Sequence, residues 1–393
     1  MNKHILNTVI QEFINNNINS NTAALLLKKT SFENVELKEV VEQIEAKKRC
    51  KAKLPTWFYT PNIYYPNKLN IEQTSSEITA DYKSKLMSGN SIIDLTGGFG
   101  VDCFCFSKSF KEVIHCEIDK NLSEIVSHNF KQFGINNVKA LNIDGIEYLK
   151  NSNQNHDWIY VDPSRRHDSK GKVFYLKDCL PDIPKHLDLL FEHTNNVLIK
   201  ASPMLDITIG ISELKHTKDI HIVAVNNDVK ELLFVLCKEY KGEISINTLN
   251  IKGVKKETFE FTYSSEASAK ANFSLPQTYL YEPNAAILKS GAFKTIAKKL
   301  NVYKLHQHSH LYTSNKLIGF PGRIFKIYEQ ISYNKKEIKK ALGNSKANIT
   351  ARNFPESISQ LRKKFNIKDG GDTYVFFTTN ANNEKVVVIC EKA

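Results

Sequence analysis

The stretch SIIDLTGGFG, residues 91–100, decides the fold. Its apolar half, SIIDL, predicts a short buried strand that carries Asp94 near its end. Gly97, Gly98 and Gly100 then allow the backbone to reach positive φ and to pass close to a ligand. The following residues, VDCFCFSKSF, predict a helix. A strand, a glycine-rich turn and a helix in this order are typical of the ligand-binding loop of an open α/β sheet.

Strands and helices continue to alternate after this stretch. Further strands are predicted, in chain order, at 112–117, 137–144, 157–162 and 196–202. The alternation predicts an α/β, Rossmann-like fold with a mostly parallel, doubly wound sheet. IHIVAV (220–225) and KELLFVLC (230–237) then predict an antiparallel hairpin that closes the sheet, with a helix over 229–239 as the alternative.

The regions on either side of the sheet differ in character. Residues 1–70 predict an N-terminal helical region and connector, and residues 71–263 contain the predicted sheet. A polar stretch, SSEASAKA (264–271), marks the boundary to a basic α+β domain over 275–393. Within that last domain, YNKKEIKKAL predicts a basic helix, and DTYVFFTTN and EKVVVICEK predict a final pair of strands.

Carboxylates stand at the ends of four successive predicted strands: Asp94, Glu117, Asp144 and Asp162. Because the carboxyl ends of parallel strands line one crevice, these side chains are expected to lie together. Glu117 follows Asp94 by 23 residues, the position at which an acid binds ribose hydroxyls. The ligand is a dinucleotide or S-adenosylmethionine (SAM). The absence of GxGxxG and of any provision for a pyrophosphate favours SAM.

At these residues the sequence resembles the class I SAM-dependent methyltransferases. The resemblance covers roughly residues 71–240. It implies a SAM site made by the loop and the first strand ends: Asp94, Thr96, Gly97, Gly98, Gly100, Glu117 and Asp144.

The chain resembles more closely a bacterial family of methyltransferases that carry a THUMP-like C-terminal domain. The matching stretches are LPTW (54–57), EQTSSEITADYK (72–83), DLTGGFGVD (94–102), DPSRR (162–166) and ARNFPESISQLRKKFNIKDGGD (351–372). This resemblance implies a THUMP-like region over about 320–393 and an enzyme that acts on RNA.

The net charge of +12 is unevenly distributed. Residues 275–393 hold 20 Lys and Arg against 8 Asp and Glu, whereas residues 1–274 hold 34 of each. A segment with such an excess attracts polyanions, of which nucleic acid is the commonest. Nucleic acid is therefore the expected partner, and an ordinary basic domain is the alternative. The THUMP-like resemblance implies that the nucleic acid is structured RNA, either tRNA or rRNA.

The stretch WIYVDPSRRHD (158–168) ends a buried strand in a carboxylate, a proline and two arginines. Many nucleic-acid methyltransferases carry Asp/Asn-Pro-Pro and an aromatic residue here. In this chain Ser164 and Arg165 replace the second proline and the aromatic residue, which argues against methylation of a base nitrogen. Arg165 and Arg166 are predicted to hold substrate phosphate, or alternatively to pair with Asp168 or Asp182.

Asp162, Lys200, Glu231 and Lys83 are the candidate catalytic residues. A lysine rarely ends a buried run such as VLIK (197–200) without a partner. In chain order the four resemble the Lys-Asp-Lys-Glu tetrad of bacterial ribose 2′-O-methyltransferases, in which a lysine could accept the hydroxyl proton. The alternative is that Lys200 forms a structural ion pair with Asp162 and that Lys83 lies on the surface.

The remaining features favour a cytoplasmic protein. No run of 18 apolar residues is present, and Cys103, Cys105 and Cys116 lie in apolar runs typical of reduced core cysteines. HQHSH (306–310) predicts a surface strand rather than a metal site. The predicted function is SAM-dependent methylation of RNA. The alternatives are methylation of a protein or small molecule, and a catalytically inactive RNA-binding or assembly protein with the same fold.

Overall fold

The computed structural model describes residues 1–27, 30–165 and 175–393. These residues form two compact units. The first comprises Met1–Thr217 and Phe234–Tyr240, and the second comprises Lys218–Leu233 and Lys241–Ala393.

The first unit begins with helices and continues as an α/β alternation. Its helices are α1 (Thr8–Asn16), α2 (Thr22–Leu26), α3 (Leu37–Lys53), α4 (Pro55–Tyr59), α5 (Lys68–Gln73), α6 (Glu77–Ser84), α7 (Val101–Phe106), α8 (Lys120–Gln132), α9 (Gly145–Lys150), α10 (Ile183–His193) and α11 (Ile207–Glu213), with 3-10 helices at Lys3–Leu6 and Leu176–Asp178. Its strands are β1 (Ser91–Asp94), β2 (Glu112–Glu117), β3 (Val138–Asn142), β4 (Trp158–Val161), β5 (Ser164–Arg165), β6 (Cys179–Leu180) and β7 (Asn196–Ala201).

Strand β1 lies at the centre of a parallel sheet. It pairs with β2 on one side and with β4 on the other, and β3 and β7 extend the two sides. The order β7-β4-β1-β2-β3 reverses direction between β1 and β4. This doubly wound order confirms the predicted sheet, and open sheets of this kind bind ligands at the carboxyl ends of the strands that flank the reversal, here β1 and β4.

The N-terminal helices belong to the same unit as the sheet. Trp57 in α4 is fully buried, and its ring lies 4.7 Å from Phe104, 4.8 Å from Phe133 and 6.1 Å from Phe99, measured between centroids. Aromatic rings at such separations contribute stability beyond their buried area. The LPTW stretch therefore packs against the loop and helix that follow β1.

The predicted helix over 177–193 is shorter in the structure. Helix α10 begins at Ile183, where Asp182 caps it by accepting a hydrogen bond from the Lys185 amide. Pro184 suits this first turn. Amide groups in the first turn have no acceptor within the helix, so the missing amide hydrogen of proline costs no hydrogen bond there. The residues before it form a 3-10 turn and the short strand β6 instead.

The remaining strands lie wholly or partly in the second unit. They are β8 (Thr217–Val225), β9 (Asp228–Cys237), β10 (Ser245–Lys252), β11 (Lys255–Thr262), β12 (Tyr279–Pro283), β13 (Tyr303–Lys304), β14 (Tyr312–Ser314), β15 (Gly322–Ser332), β16 (Asn348–Arg352), β17 (Tyr374–Thr379) and β18 (Lys385–Lys392). Its helices are α12 (Tyr263–Ser268), α13 (Ala285–Ser290), α14 (Thr295–Leu300), α15 (Lys335–Leu342) and α16 (Ile358–Phe365).

A two-residue turn joins β8 to β9. Asn226 and Asn227 have φ of 52° and 64°, the left-handed conformation that tight hairpin turns require. The predicted hairpin is therefore confirmed, and the alternative of a helix over 229–239 is wrong. In this unit β8 also pairs in parallel with β10, and β10 pairs antiparallel with β11.

A second sheet follows, with the order β13-β14-β12-β15-β18-β17-β16. Helices α15 and α16 cover one face through Ile338, Leu361 and Phe365. The opposite face packs around Phe325 and Phe376. The basic helix and the final antiparallel strand pair were both predicted and are confirmed.

The predicted surface strand over 306–310 is wrong. Strand β13 ends at Lys304, and the histidines lie in turns, with His310 at a φ of 51°. The alternation of histidines suggested a strand face. In the structure the His306 ring instead hydrogen-bonds Asn353 and Asn383.

Two features are absent from the residues that the structure describes. No group of three His, Cys, Asp or Glu side chains among them is placed to hold a metal ion. No helix among them is both long and apolar enough to cross a membrane. Cys103, Cys105 and Cys116 are buried free thiols, as the apolar runs around them predicted.

Candidate active site

The loop after β1 requires glycine at two positions. A Cβ atom on Gly97 would lie 2.3 Å from the His115 ring. Gly100 has a φ of +76°, and a Cβ atom there would lie 2.8 Å from the Phe130 ring. Glycine at these two positions therefore lets the loop pack directly against side chains of β2 and α8.

Two side chains of β2 hold Gly98 in place. The Glu117 carboxylate accepts a hydrogen bond from the Gly98 amide at 2.9 Å. The Gly98 carbonyl lies 3.2 Å from Nε2 of His115, which is fully buried. Burial lowers the pKa of His115 to about 4, so the ring is neutral and can donate from Nε2. His115 was not predicted as a site residue, although it stands out in the sequence as a polar residue within the apolar run EVIHCE.

Asp94 ends β1 and is buried. Its Oδ1 accepts hydrogen bonds from the Thr96 amide at 2.9 Å and the Thr96 hydroxyl at 3.3 Å, and its Oδ2 accepts one from the Cys103 thiol at 3.4 Å. Burial, together with the negative charges of Asp102 and Asp162, raises the pKa of Asp94 to about 7. A cation bound beside this carboxyl would favour its charged form.

Glu117 and Asp144 lie at the ends of the next two strands. Besides Gly98, the Glu117 carboxylate accepts a hydrogen bond from the Asp119 amide at 2.8 Å, and burial raises its pKa. Asp144 is exposed and caps α9 by accepting from the Ile146 amide at 2.8 Å. Both carboxylates are held in one orientation and keep acceptor capacity for a ligand.

Asp162 and Lys200 are in direct contact. They lie at the ends of the paired strands β4 and β7, and Nζ of Lys200 donates to Oδ2 of Asp162. The Asp162 amide donates to the Thr96 hydroxyl at 2.7 Å, which ties it to the glycine loop. The side chains are 33% and 14% exposed, so the pair borders solvent at the crevice.

Lys83 is fully buried, so the alternative that it lies on the surface is wrong. Its Nζ lies 3.2 Å from Oδ1 of Asp102 and 3.1 Å from the Ser75 hydroxyl. The other Asp102 oxygen accepts hydrogen bonds from Ser75 at 2.8 Å and Tyr160 at 2.9 Å. This cluster connects α6, α7 and the strand that ends in Asp162.

The cluster explains the charge state of Asp102. Burial alone would raise its pKa. The positive charges of Lys83 and Lys200, with the hydrogen bonds just described, outweigh burial and hold the pKa below its ordinary value. Asp102 was not predicted as a site residue because it lies inside VDCFCF, a run whose other residues are apolar and predict a helix packed in the core.

Three predicted site residues remain: Glu231, Arg165 and Arg166. Glu231 is buried on β9, in the second unit. Arg165 belongs to β5, which pairs antiparallel with β6. Arg166 and its proposed partner Asp168 lie outside the described residues.

Comparison with solved structures finds similarity over the whole chain to a "putative methyltransferase" from Porphyromonas gingivalis W83. The two are 32% identical with a TM-score of 0.89, over 100% of this chain and 98% of that chain. A "putative methyltransferase", yhhF, from Escherichia coli is 16% identical over 42% of this chain and 85% of that chain, with a TM-score of 0.31. One from Streptococcus mutans, solved with SAH, is 13% identical over 41% of this chain and 97% of that chain, with a TM-score of 0.30.

Family models match the C-terminal part of the chain. Residues 279–321 match a ferredoxin-like domain, and residues 322–392 match a domain described as THUMP domain-like. The second match agrees with the predicted THUMP-like C-terminal domain. A search of curated proteins finds no match.

Proposed function

Since the chain belongs to the bacterial methyltransferase family with a THUMP-like C-terminal domain, we propose that it transfers the methyl group of SAM to structured RNA. The observation that carries the proposal is the buried Asp94 beside the glycine-rich loop 97–100. Asp162 and Lys200 are in contact at the ends of the adjoining strands.

The residues of the crevice fit SAM. Asp94, which is bonded to the start of the glycine loop through Thr96, offers a carboxyl that a cationic amino acid would stabilise. Glu117, fixed by two amides, can accept hydrogen bonds from ribose hydroxyls. Ile118 is 73% exposed and supplies an apolar surface beside Glu117. Asp144 completes the proposed set, with Thr96, Gly97, Gly98 and Gly100.

We propose that Asp162 and Lys200 contact the group that accepts the methyl. SAM supplies an electrophilic methyl group on a sulfonium. The Asp162–Lys200 pair would hold the acceptor atom, and Nζ of Lys200, when neutral, would take its proton. Lys83 is buried against Asp102, so its proposed part is to position and balance charge near Asp162 and Lys200 rather than to touch substrate. Glu231, which is buried on β9, remains the fourth proposed residue.

The basic C-terminal region supports RNA as the substrate. The lysines of α15 are exposed on a helix whose apolar side faces the core. Lys363 and Lys364 are exposed on α16. Such lysines attract a phosphate backbone without reading sequence. Arg165 and Arg166 remain proposed phosphate contacts.

The test is transfer of labelled methyl from SAM into total RNA and, separately, into total protein from cells that lack the gene. Asp162→Ala is the active-site variant. Asp188→Ala, an exposed aspartate on α10, is the matched control. We expect label in RNA with the wild type and the control and none with Asp162→Ala. Label in protein alone, or no label with SAM bound, would favour a protein or small-molecule substrate. RNA binding without SAM binding would favour an inactive RNA-binding protein.

A further inference from the structure

Three charged side chains meet in the second unit: Glu282, Arg323 and Arg352. Glu282 on β12 is buried. Its Oε2 accepts a hydrogen bond from Nε of Arg323 at 2.6 Å. Its Oε1 accepts one from Nε of Arg352 at 3.1 Å and lies 2.8 Å from Nη2 of the same arginine. One carboxylate therefore orients two guanidinium groups.

The fold fixes the first arginine closely. Arg323 is the direct cross-strand partner of Glu282 between β12 and β15. Its guanidinium lies over the rings of Phe325, at 5.4 Å, and Phe376, at 6.0 Å. It also donates to the Thr350 hydroxyl at 3.3 Å. A side chain held in this way loses little further entropy when it binds a ligand.

The carboxylate and the two guanidinium groups differ in charge and in exposure to solvent. The Glu282 side chain is 4% exposed, whereas those of Arg323 and Arg352 are 40% and 41% exposed. One guanidinium suffices to neutralise the carboxylate, so the trio keeps one positive charge at the surface. Planar guanidinium groups side by side suit phosphate, which accepts paired hydrogen bonds from their N–H edges.

We propose that Arg323 and Arg352, held together by Glu282, bind a phosphate of the RNA backbone. The proposal rests on the proposed function, because it takes RNA as the substrate. RNA is favoured over an acidic protein because the positive charge extends through the whole segment 275–393, with 20 Lys and Arg against 8 Asp and Glu. A continuous backbone of phosphates matches such a distribution. The trio would fix the position of the RNA, while scattered lysines attract it.

The test measures binding of the full-length protein to a fluorescein-labelled RNA hairpin by anisotropy at several NaCl concentrations. Arg352→Gln leaves Glu282 paired with Arg323, so the buried carboxylate keeps a partner. We expect this variant to weaken binding by about tenfold and to lower the slope of log K against log salt by about 1. Arg352→Lys should keep the slope and weaken binding less, because it retains charge but loses the paired donors.

Arg49→Gln is the matched control. Arg49 also pairs with one glutamate, Glu72, and its side chain is 39% exposed, but it lies in the first unit. Its RNA affinity should stay within about twofold of the wild type, because it lies outside the basic segment. Thermal unfolding of each variant shows whether it is folded.

The outcomes separate this proposal from the one before it. Equal affinities and slopes for Arg352→Gln and Arg49→Gln, in a wild type that binds RNA, would overturn the phosphate site and leave the enzyme intact. A wild type that binds no RNA would overturn both. Competition by polyglutamate as strong as that by RNA would replace RNA with an acidic protein as the partner.

Discussion

Replacing Asp94 by asparagine should stabilise the protein while it weakens SAM binding. The pKa of Asp94 rises from an ordinary 3.8 to about 7 on folding, chiefly because the carboxyl is buried. The folded state therefore holds this proton more tightly than the unfolded chain does. The stability that follows is present below pH 3.8 and is lost as the pH rises towards 7.

The size of the effect follows from the same shift. At about 1.4 kcal/mol per pKa unit, Asp94 destabilises the folded state, relative to a side chain that cannot ionise, by about 4 kcal/mol at pH 8 and about 2 kcal/mol at pH 5.5. Asparagine keeps an oxygen that can accept from the Thr96 amide and carries no charge. Asp94→Asn should therefore raise the free energy of unfolding by up to these amounts, with the larger gain at pH 8.

Binding should change in the opposite direction. A charged hydrogen bond between Asp94 and a cationic ligand contributes about 1.5–3 kcal/mol, so its loss should weaken SAM about 10- to 100-fold. Urea unfolding at pH 8 and 5.5 measures the stability, and isothermal calorimetry measures SAM binding. Asp188→Asn is the control, because this exposed aspartate should alter neither quantity. A destabilised Asp94→Asn protein at pH 8, or one with unchanged SAM affinity, would refute the reasoning.

Three other substitutions test the neighbouring contacts. His115→Phe removes the donor to Gly98 and should weaken SAM binding by about tenfold in calorimetry while the unfolding free energy falls by only about 1 kcal/mol; equal SAM affinity would count against it. Gly100→Ala should lower the melting temperature more than Gly134→Ala. Both glycines have positive φ, but a Cβ atom at Gly100 would clash with Phe130, whereas one at Gly134 would have no neighbour within 4 Å. Equal losses would exclude the clash with Phe130. Lys83→Met should lower the free energy of unfolding in urea by about 3–5 kcal/mol at pH 8, because it leaves the buried charge of Asp102 without its cationic partner. The loss should become smaller as the pH falls and Asp102 takes a proton. A loss independent of pH would point to packing alone.

The features that the sequence predicted well are local. A strand followed by a glycine turn and a helix needs only neighbouring residues, so the loop after β1 and the parallel strands could be recognised. The carboxylates at strand ends followed from this alternation, because parallel strands end at one edge of the sheet. The contact between Asp162 and Lys200 followed in turn, because β4 and β7 are adjacent.

The features that were missed depend on distant parts of the chain. Asp102 lies in an apolar helix and finds Lys83 from another helix and Tyr160 from a strand. The burial of Lys83 could not be read from ADYKSKL, whose other charged residues are exposed or partly exposed. Glu282 meets Arg323 and Arg352 through the register of strands that are far apart in sequence. A polar residue inside an apolar run was the one signal available, since such a residue needs a partner when buried.

The most direct test of RNA methylation by this chain compares the modified nucleosides of tRNA and rRNA, by mass spectrometry, between cells with and without the gene. We predict that one methylated nucleoside disappears when the gene is deleted. The wild-type gene and the Asp188→Ala variant should restore it, and Asp162→Ala should not. An unchanged nucleoside profile in the deleted strain, or full restoration by Asp162→Ala, would contradict the proposed reaction at the crevice.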